Sequence, residues 1–233
     1  MIIHGRGEMF IKKVKKLKGF TLAEVLITLG IIGVVAALTI PTLISNYQKT
    51  QTVTQLKKVY TTLSQAVKMS ENDNGPNKNW DWGDGSGDLN LEESFNLYWA
   101  PYLRILKICT YQSTCNYPYS KWNDVNGNPV STSIFALGSR IAFMLHDGTM
   151  VIVYSYSGVS VIVPFHYIFV DLDGNKGKSR YGKDVFVFVL DEDKGFMPNG
   201  YNHQPSCSKA SDGIDCAAKI IKDGWQIKDD YPW

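Results

Sequence analysis

Lys15-Lys16-Leu17-Lys18-Gly19-Phe20-Thr21-Leu22-Ala23-Glu24, running straight into an apolar segment, decides how this chain is read. Five lysines (Lys12, Lys13, Lys15, Lys16 and Lys18) precede the glycine, and Phe20 to Ile40 then form 21 residues with one ionisable side chain, Glu24. About 20 apolar residues at ~1.5 Å rise cross the ~30 Å hydrocarbon core of a bilayer. The lysines hold the N-terminal side in the cytoplasm, so everything after Ile40 is expected outside. A carboxylate in such a segment costs on the order of 2.5–3.5 kcal/mol at mid-membrane and less near the edge, so Glu24 calls for a compensating interaction.

The string GFTLAEVLITLGIIGVVAALTIPTL, starting at Gly19, resembles the N-terminus of type IV pilins and type II secretion pseudopilins. The resemblance implies that a prepilin peptidase cuts between Gly19 and Phe20 on the cytoplasmic side and that Phe20 becomes N-methylated. It also implies a role for Glu24, the fifth residue of the mature chain, which would neutralise the N-terminal ammonium of an adjacent subunit as helices bundle. Two charges penalised singly become tolerable as a pair. Ala23 departs mildly from the family, which usually has a larger apolar residue there, and Pro41 falls where pilin helices commonly carry a proline. A secretory signal would have a shorter apolar core of ~7–15 residues and a small-residue cleavage site. A plain anchor explains the span and the lysines but not the Gly-Phe-Thr-Leu junction with Glu24 beyond it.

The resemblance divides the chain into a leader (residues 1–19, or Met9 to Gly19 if Met9 is the start), a transmembrane helix segment (20–40), an amphipathic continuation of that helix (41–74) and an extracytoplasmic globular domain (75–233). Without residues 1–19 the chain loses six positive charges and one negative, so its net charge of +2 becomes −3. The basic balance therefore belongs to the leader and gives no support for nucleic-acid binding, which needs a clustered basic face.

After Pro41, which removes one helical hydrogen bond and should bend or locally melt the helix near Ala37, apolar residues recur at three- and four-residue steps. Leu43, Tyr47, Leu56, Val59, Tyr60, Leu63, Ala66 and Val67 form a stripe that would lie against the domain. Asn74-Gly75-Pro76 ends the helix. Trp80 and Trp82, in a turn-rich stretch, are expected to fold onto the domain rather than form an exposed ligand patch. Asn90 and Glu93 open a helix like a capping box, whose buried face is expected to run through Leu91, Phe95, Tyr98, Trp99, Tyr102 and Leu106, with Pro101 starting a second helical piece.

Beyond Arg140 the pattern turns to strands. RIAFMLHDGTMVIVYSY reads as two strands joined at His146-Asp147-Gly148-Thr149. A third strand region is interrupted or edge-exposed at Pro164, a fourth runs from Asp184 to Leu190, and a short helix covers Ala217 to Lys222. The expected fold class is α+β, a long N-terminal helix packed on an antiparallel sheet, which is also the pilin-like arrangement.

Four cysteines, Cys109, Cys115, Cys207 and Cys216, allow three connectivities. An exported domain permits disulfides, and sequential pairing, Cys109 with Cys115 and Cys207 with Cys216, is expected. Neither spacing is that of a zinc site, and no histidine cluster completes one. No G-x-S-x-G, P-loop or H-E-x-x-H occurs, so no enzyme is read here; His166, between Phe165 and Tyr167, reads as a packed strand residue. Asp171, Asp173 and Asn175 place oxygens at alternate positions, as calcium loops do, with Asp184 as a further candidate ligand. Lys176 and Gly182, however, stand where an EF-hand needs glycine and glutamate. A plain turn is the expected reading, with calcium as its rival and no other cofactor.

Taken together, the resemblance implies a structural subunit of a type IV pilus or type II secretion pseudopilus, tethered in the bacterial inner membrane. Its partners would be the prepilin peptidase, other pilin or pseudopilin subunits and an inner-membrane assembly platform. The size and loop-rich character of the domain favour a minor subunit. The rival is a membrane-anchored binding module for polysaccharide or a secreted substrate that does not polymerise.

Overall fold

The computed structural model describes residues 19–82, 89–109, 122–130, 140–154, 165–174 and 176–233. Helix α1 spans Leu22–Asn74, and the chain divides into two compact units, Met1–Asn46 and Tyr47–Trp233. In the first, every large apolar side chain that α1 carries from Leu22 to Ile44 is at least partly open to its surroundings, Leu22 being 79 % exposed. The helix runs through Ala37 and Pro41 without a break, so the expected local melting is absent. One missing N–H removes one bond, and the turns on either side hold the helical path. Thr28 donates its hydroxyl to the carbonyls of Glu24 and Val25, and Thr39 to that of Val35, each at 2.9 Å. These polar groups are thus satisfied inside the helix, as a lipid environment demands.

In the second unit, the stripe of α1 is buried at Leu56, Val59, Leu63, Ala66 and Val67, with Tyr60 half-buried beside them; Tyr47 is exposed. Gly75, at φ 83°, ends the helix by donating its N–H to the Glu71 carbonyl, and Pro76 follows. Trp80 folds back, donating its indole N–H to the Gly75 carbonyl at 2.9 Å and stacking on Tyr98 at 4.6 Å. Trp82 stacks on His166 at 3.6 Å. Both tryptophans are core residues, as expected, and His166 is a packed strand residue. Helix α2 (Leu91–Tyr98) begins with the expected capping box between Asn90 and Glu93.

The continuation past Pro101 differs from the expectation. A single 3-10 turn, Ala100–Tyr102, is followed by strand β1 (Ile105–Cys109), and Leu106 is 57 % exposed rather than buried on a helix. Proline disfavours helical geometry in the residue before it, and the β-branched Ile105 and Ile108 find a partner strand instead. The other strands are β2 (Trp122–Asn123), β3 (Arg140–Leu145), β4 (Met150–Tyr154), β5 (Phe165–Asp171), β6 (Ser179–Arg180), β7 (Val185–Asp191) and β8 (Gly195–Pro198). Six form an antiparallel sheet in the order β1-β3-β4-β5-β7-β8, while β2 and β6 pair in parallel.

Alternation along β7 explains its near-continuous apolar sequence. Phe186, Phe188 and Leu190 join Phe143, Val151 and Ile168 in the core that holds α1, α2 and helix α3 (Cys216–Lys222). Val185 and Val187 join Met150, Ile152 and Phe169 on the opposite face, under Trp122 and Tyr181. A sheet buried on both faces needs apolar residues at successive positions. The β3–β4 hairpin closes at Gly148, φ 89°, with Asp147 accepting from the Thr149 N–H at 3.1 Å and from the Lys58 ammonium of α1 at 2.9 Å. After α3, Gly224 and Trp225 both take positive φ (76° and 62°). This reversal lays the Trp225 ring 5.5 Å from that of Tyr60. A non-glycine residue there is strained, and the ring contacts offset it.

Candidate functional site

Thr21 is the last residue before α1, and it and Glu24 cap the helix reciprocally. The Thr21 N–H and hydroxyl both donate to Glu24 Oε2 at 2.8 Å, and the Glu24 N–H donates to Thr21 Oγ1 at 3.2 Å. This is a capping box, T-x-x-E, in which side chains satisfy donors that the first helical turn leaves open. The signal stood in the sequence, a threonine three residues before a glutamate at the head of an apolar run, and the reading of Glu24 as an intersubunit charge passed over it. Glu24 Oε2 therefore has hydrogen-bond donors within its own chain, while its negative charge is left for a cation to offset. Gly19 and Phe20 precede the helix in non-helical backbone, and among the described residues no atom outside the adjoining ones lies within 4 Å of where a Gly19 Cβ would be.

The acidic loop after β5 is built as a turn. Asp171 is buried, accepts the Ser179 hydroxyl at 2.7 Å and accepts the Asp173 N–H at 3.3 Å. Gly174, at φ 61°, brings the chain so close to the Gly148 carbonyl that a Cβ would collide with it. Asp184 immediately precedes β7, and its backbone carbonyl accepts the Leu172 N–H at 2.9 Å. Its carboxyl is pushed up to about 6, first by burial and then by the charge of Asp173. Among the described residues no three His, Cys, Asp or Glu side chains are grouped to hold a metal ion; the fourth candidate ligand, Asn175, lies outside them.

Cys207 and Cys216 are joined in a disulfide, and Cys216 is the first residue of α3. Cys109 is disulfide-bonded as well, while its expected partner Cys115 lies outside the described residues. The C-terminal bridge encloses Asp215, which is buried and collects donors from Asn199, His203 and the Ser206 N–H. His203 and Asp215, twelve positions apart in the chain, meet where the disulfide-closed loop returns.

Among the described residues α1 is the one helix long and apolar enough, by length and composition, to cross a membrane. Residues 14–40 match the prokaryotic N-terminal methylation motif, which is characteristic of type IV pilins and pseudopilins. Residues 42–233 match a family of unknown function, DUF6613. No curated protein and no solved structure matches the chain. Motif and helix together describe a membrane-anchored, single-pass subunit of the pilin type.

Proposed function

The chain belongs to the family of unknown function DUF6613, and we propose that it works as a processed filament subunit, in a type IV pilus or a type II secretion pseudopilus. A prepilin peptidase cuts between Gly19 and Phe20, and Phe20 is methylated. The chain waits in the bacterial inner membrane with its N-terminus on the cytoplasmic side, and an assembly platform then draws it into a polymer with other pilin-type subunits. The observation that carries this reading is the methylation motif at residues 14–40 leading directly into an exposed apolar helix. In a filament, that apolar face would pack against the same segment of neighbouring copies. The loop-rich domain supports a minor subunit. The described geometry at Asp171 and Gly174 supports a turn in the acidic loop rather than a calcium site.

A second reading, a membrane-anchored binding module that does not polymerise, has one observation in its favour. The Thr21–Glu24 box gives the Glu24 carboxylate hydrogen-bond donors without a neighbouring subunit. Shearing of intact cells separates the two. A filament subunit is recovered in the sheared or polymeric fraction, cross-linked through its N-terminal helix. Recovery wholly as a membrane-bound monomer in cells that assemble filaments supports the second reading.

A further inference from the structure

A cavity of about 340 Å³ opens where the turn after β8 meets the sheet and the disulfide-closed loop. Its walls include Tyr167 on β5 and Val189 on β7, which are register partners in the ladder, and Tyr201 and Ile214 from the two loops. Tyr201 is held rigidly: its hydroxyl donates to the Asp191 carboxylate, and the Lys194 ammonium lies 4.7 Å over its ring. The polar end of the cavity is Asp215, 5 % exposed. One of its oxygens accepts the Asn199 amide at 2.7 Å, and the other lies 3.1 Å from the His203 ring and accepts the Ser206 N–H at 3.0 Å. Gly200 permits this arrangement, since a Cβ there would meet the Asp215 carboxylate.

We propose that this cavity is a binding site for a neutral sugar, one hexose or N-acetylhexosamine unit of a glycan. A sugar ring has an apolar C–H face and a rim of hydroxyls that each donate and accept. Aromatic walls take the first and fixed carboxylate and amide groups take the second. A carboxylate offers about four acceptor positions, and the three donors already on Asp215 fix its orientation while leaving acceptor capacity for a hydroxyl. The volume sits at the small end of the ~300–1,000 Å³ range of ligand pockets, which suits a single ring. Anionic ligands are disfavoured, because Asp215 lines the site and the Asp191 carboxylate holds the Tyr201 hydroxyl behind it, while the Lys194 ammonium is engaged over the Tyr201 ring. A wholly apolar ligand would leave Asp215 facing carbon. The walls are ordered before binding by the bonds just described, which reduces the entropy lost on capture.

The proposal does not depend on polymerisation, and its test uses no filament. The full-length chain in a detergent without a sugar head is mixed with methyl β-galactoside, N-acetylglucosamine or glucuronate, and saturation transfer is read by NMR. Transfer to at least one neutral sugar at ~10 mM is expected, a concentration that reveals even millimolar affinity. It should weaken about fivefold or more in Tyr167→Leu, which removes an aromatic wall and keeps an apolar strand residue. Asn202→Ala, at an exposed lining position, tests the polar rim and should weaken it too; if Tyr167→Leu does not fold, this variant decides. Transfer to none of the neutral sugars, transfer to glucuronate alone, or unchanged transfer in the folded variants overturns the assignment.

Discussion

Glu24 Oε2 receives two hydrogen bonds from Thr21, one from its amide and one from its hydroxyl. The acid is thus already partnered before any second chain arrives, and two roles that a simple acid-to-apolar substitution would merge can be separated. Glu24→Val removes both the cap and any intersubunit charge pair. Thr21→Ala removes the cap, at a cost of about 1 kcal/mol to the helix start, and leaves the carboxylate free to meet a neighbouring ammonium. If the filament role is right, Glu24→Val inserts normally and is lost from the polymeric fraction, whereas Thr21→Ala is affected far less. Equal loss in both variants would show that the carboxylate acts within its own helix, and wild-type assembly of Glu24→Val would remove it from the mechanism altogether.

Processing between Gly19 and Phe20 has a direct readout. The intact mass of the membrane-extracted protein should correspond to a chain that begins at N-methyl-Phe20. Larger residues in place of Gly19 should leave the precursor uncut, since the peptidase has to bring extended backbone close to its own site. A mature chain beginning after Ala37 would point to ordinary signal peptidase and overturn the proposal.

The bridge between Cys207 and Cys216 closes a loop with a sequence separation of 9. In the chain-entropy argument a loop this short stabilises by roughly 2–3 kcal/mol. Cys207→Ser with Cys216→Ser should therefore lower the unfolding free energy by about that much and loosen the Asn199–His203 turn, read by faster amide exchange there. Non-reducing peptide mapping should also join Cys109 to Cys115. A cross-linked peptide connecting the two cysteine regions would refute the sequential scheme.

Asp184 gives a pH dependence of defined sign. Its native pKa, raised to about 6, lies above the ~3.9 of an unfolded aspartate. Between those values the native state holds more protons than the unfolded state, so stability falls as pH rises from ~4 to ~6. Allowing for its partial exposure, the ionised carboxylate costs about 1–2 kcal/mol at pH 7. Asp184→Asn should be more stable than wild type by that amount at pH 7 and nearly equal to it at pH 4. Loss of stability at pH 7 would show that the carboxylate is stabilised in the native fold.

The turn reading of the acidic loop predicts one Tm in calcium and in chelator. A bound ion at a hundredfold excess over its Kd would add ~2.7 kcal/mol, a shift of several degrees that Asp173→Ala should abolish. Such a shift would replace the turn reading with the calcium one.

What the sequence discloses depends on the length over which a pattern is kept. The apolar head of α1, its buried stripe from Leu56 to Val67, the Asp147-Gly148 hairpin and the run of β7 are long or chemically marked, and each stands where it was expected. Strands β1, β2, β6 and β8 were not read. Leu106-Lys107-Ile108 is exposed, with an irregular register against β3, and β8 is four residues between a glycine turn and a proline. Edge strands need neither a two-sided apolar pattern nor length. The cluster around Asp215 was hidden for another reason: Asn199, His203 and Asp215 carry no shared spacing, and a fold rather than a motif brings them together.

The two covered faces of the sheet have a consequence for how this domain can diverge. With helices over one face and the Trp122–Tyr181 layer over part of the other, what the described sheet offers to an outside molecule is its strand edges, the loops that join them and the Tyr167–Val189 position that lines the cavity. Loops carry little of the core and accept substitution and insertion readily. Substitutions in those loops can therefore change what the domain recognises while the framework, and the helix that anchors it, stay as they are.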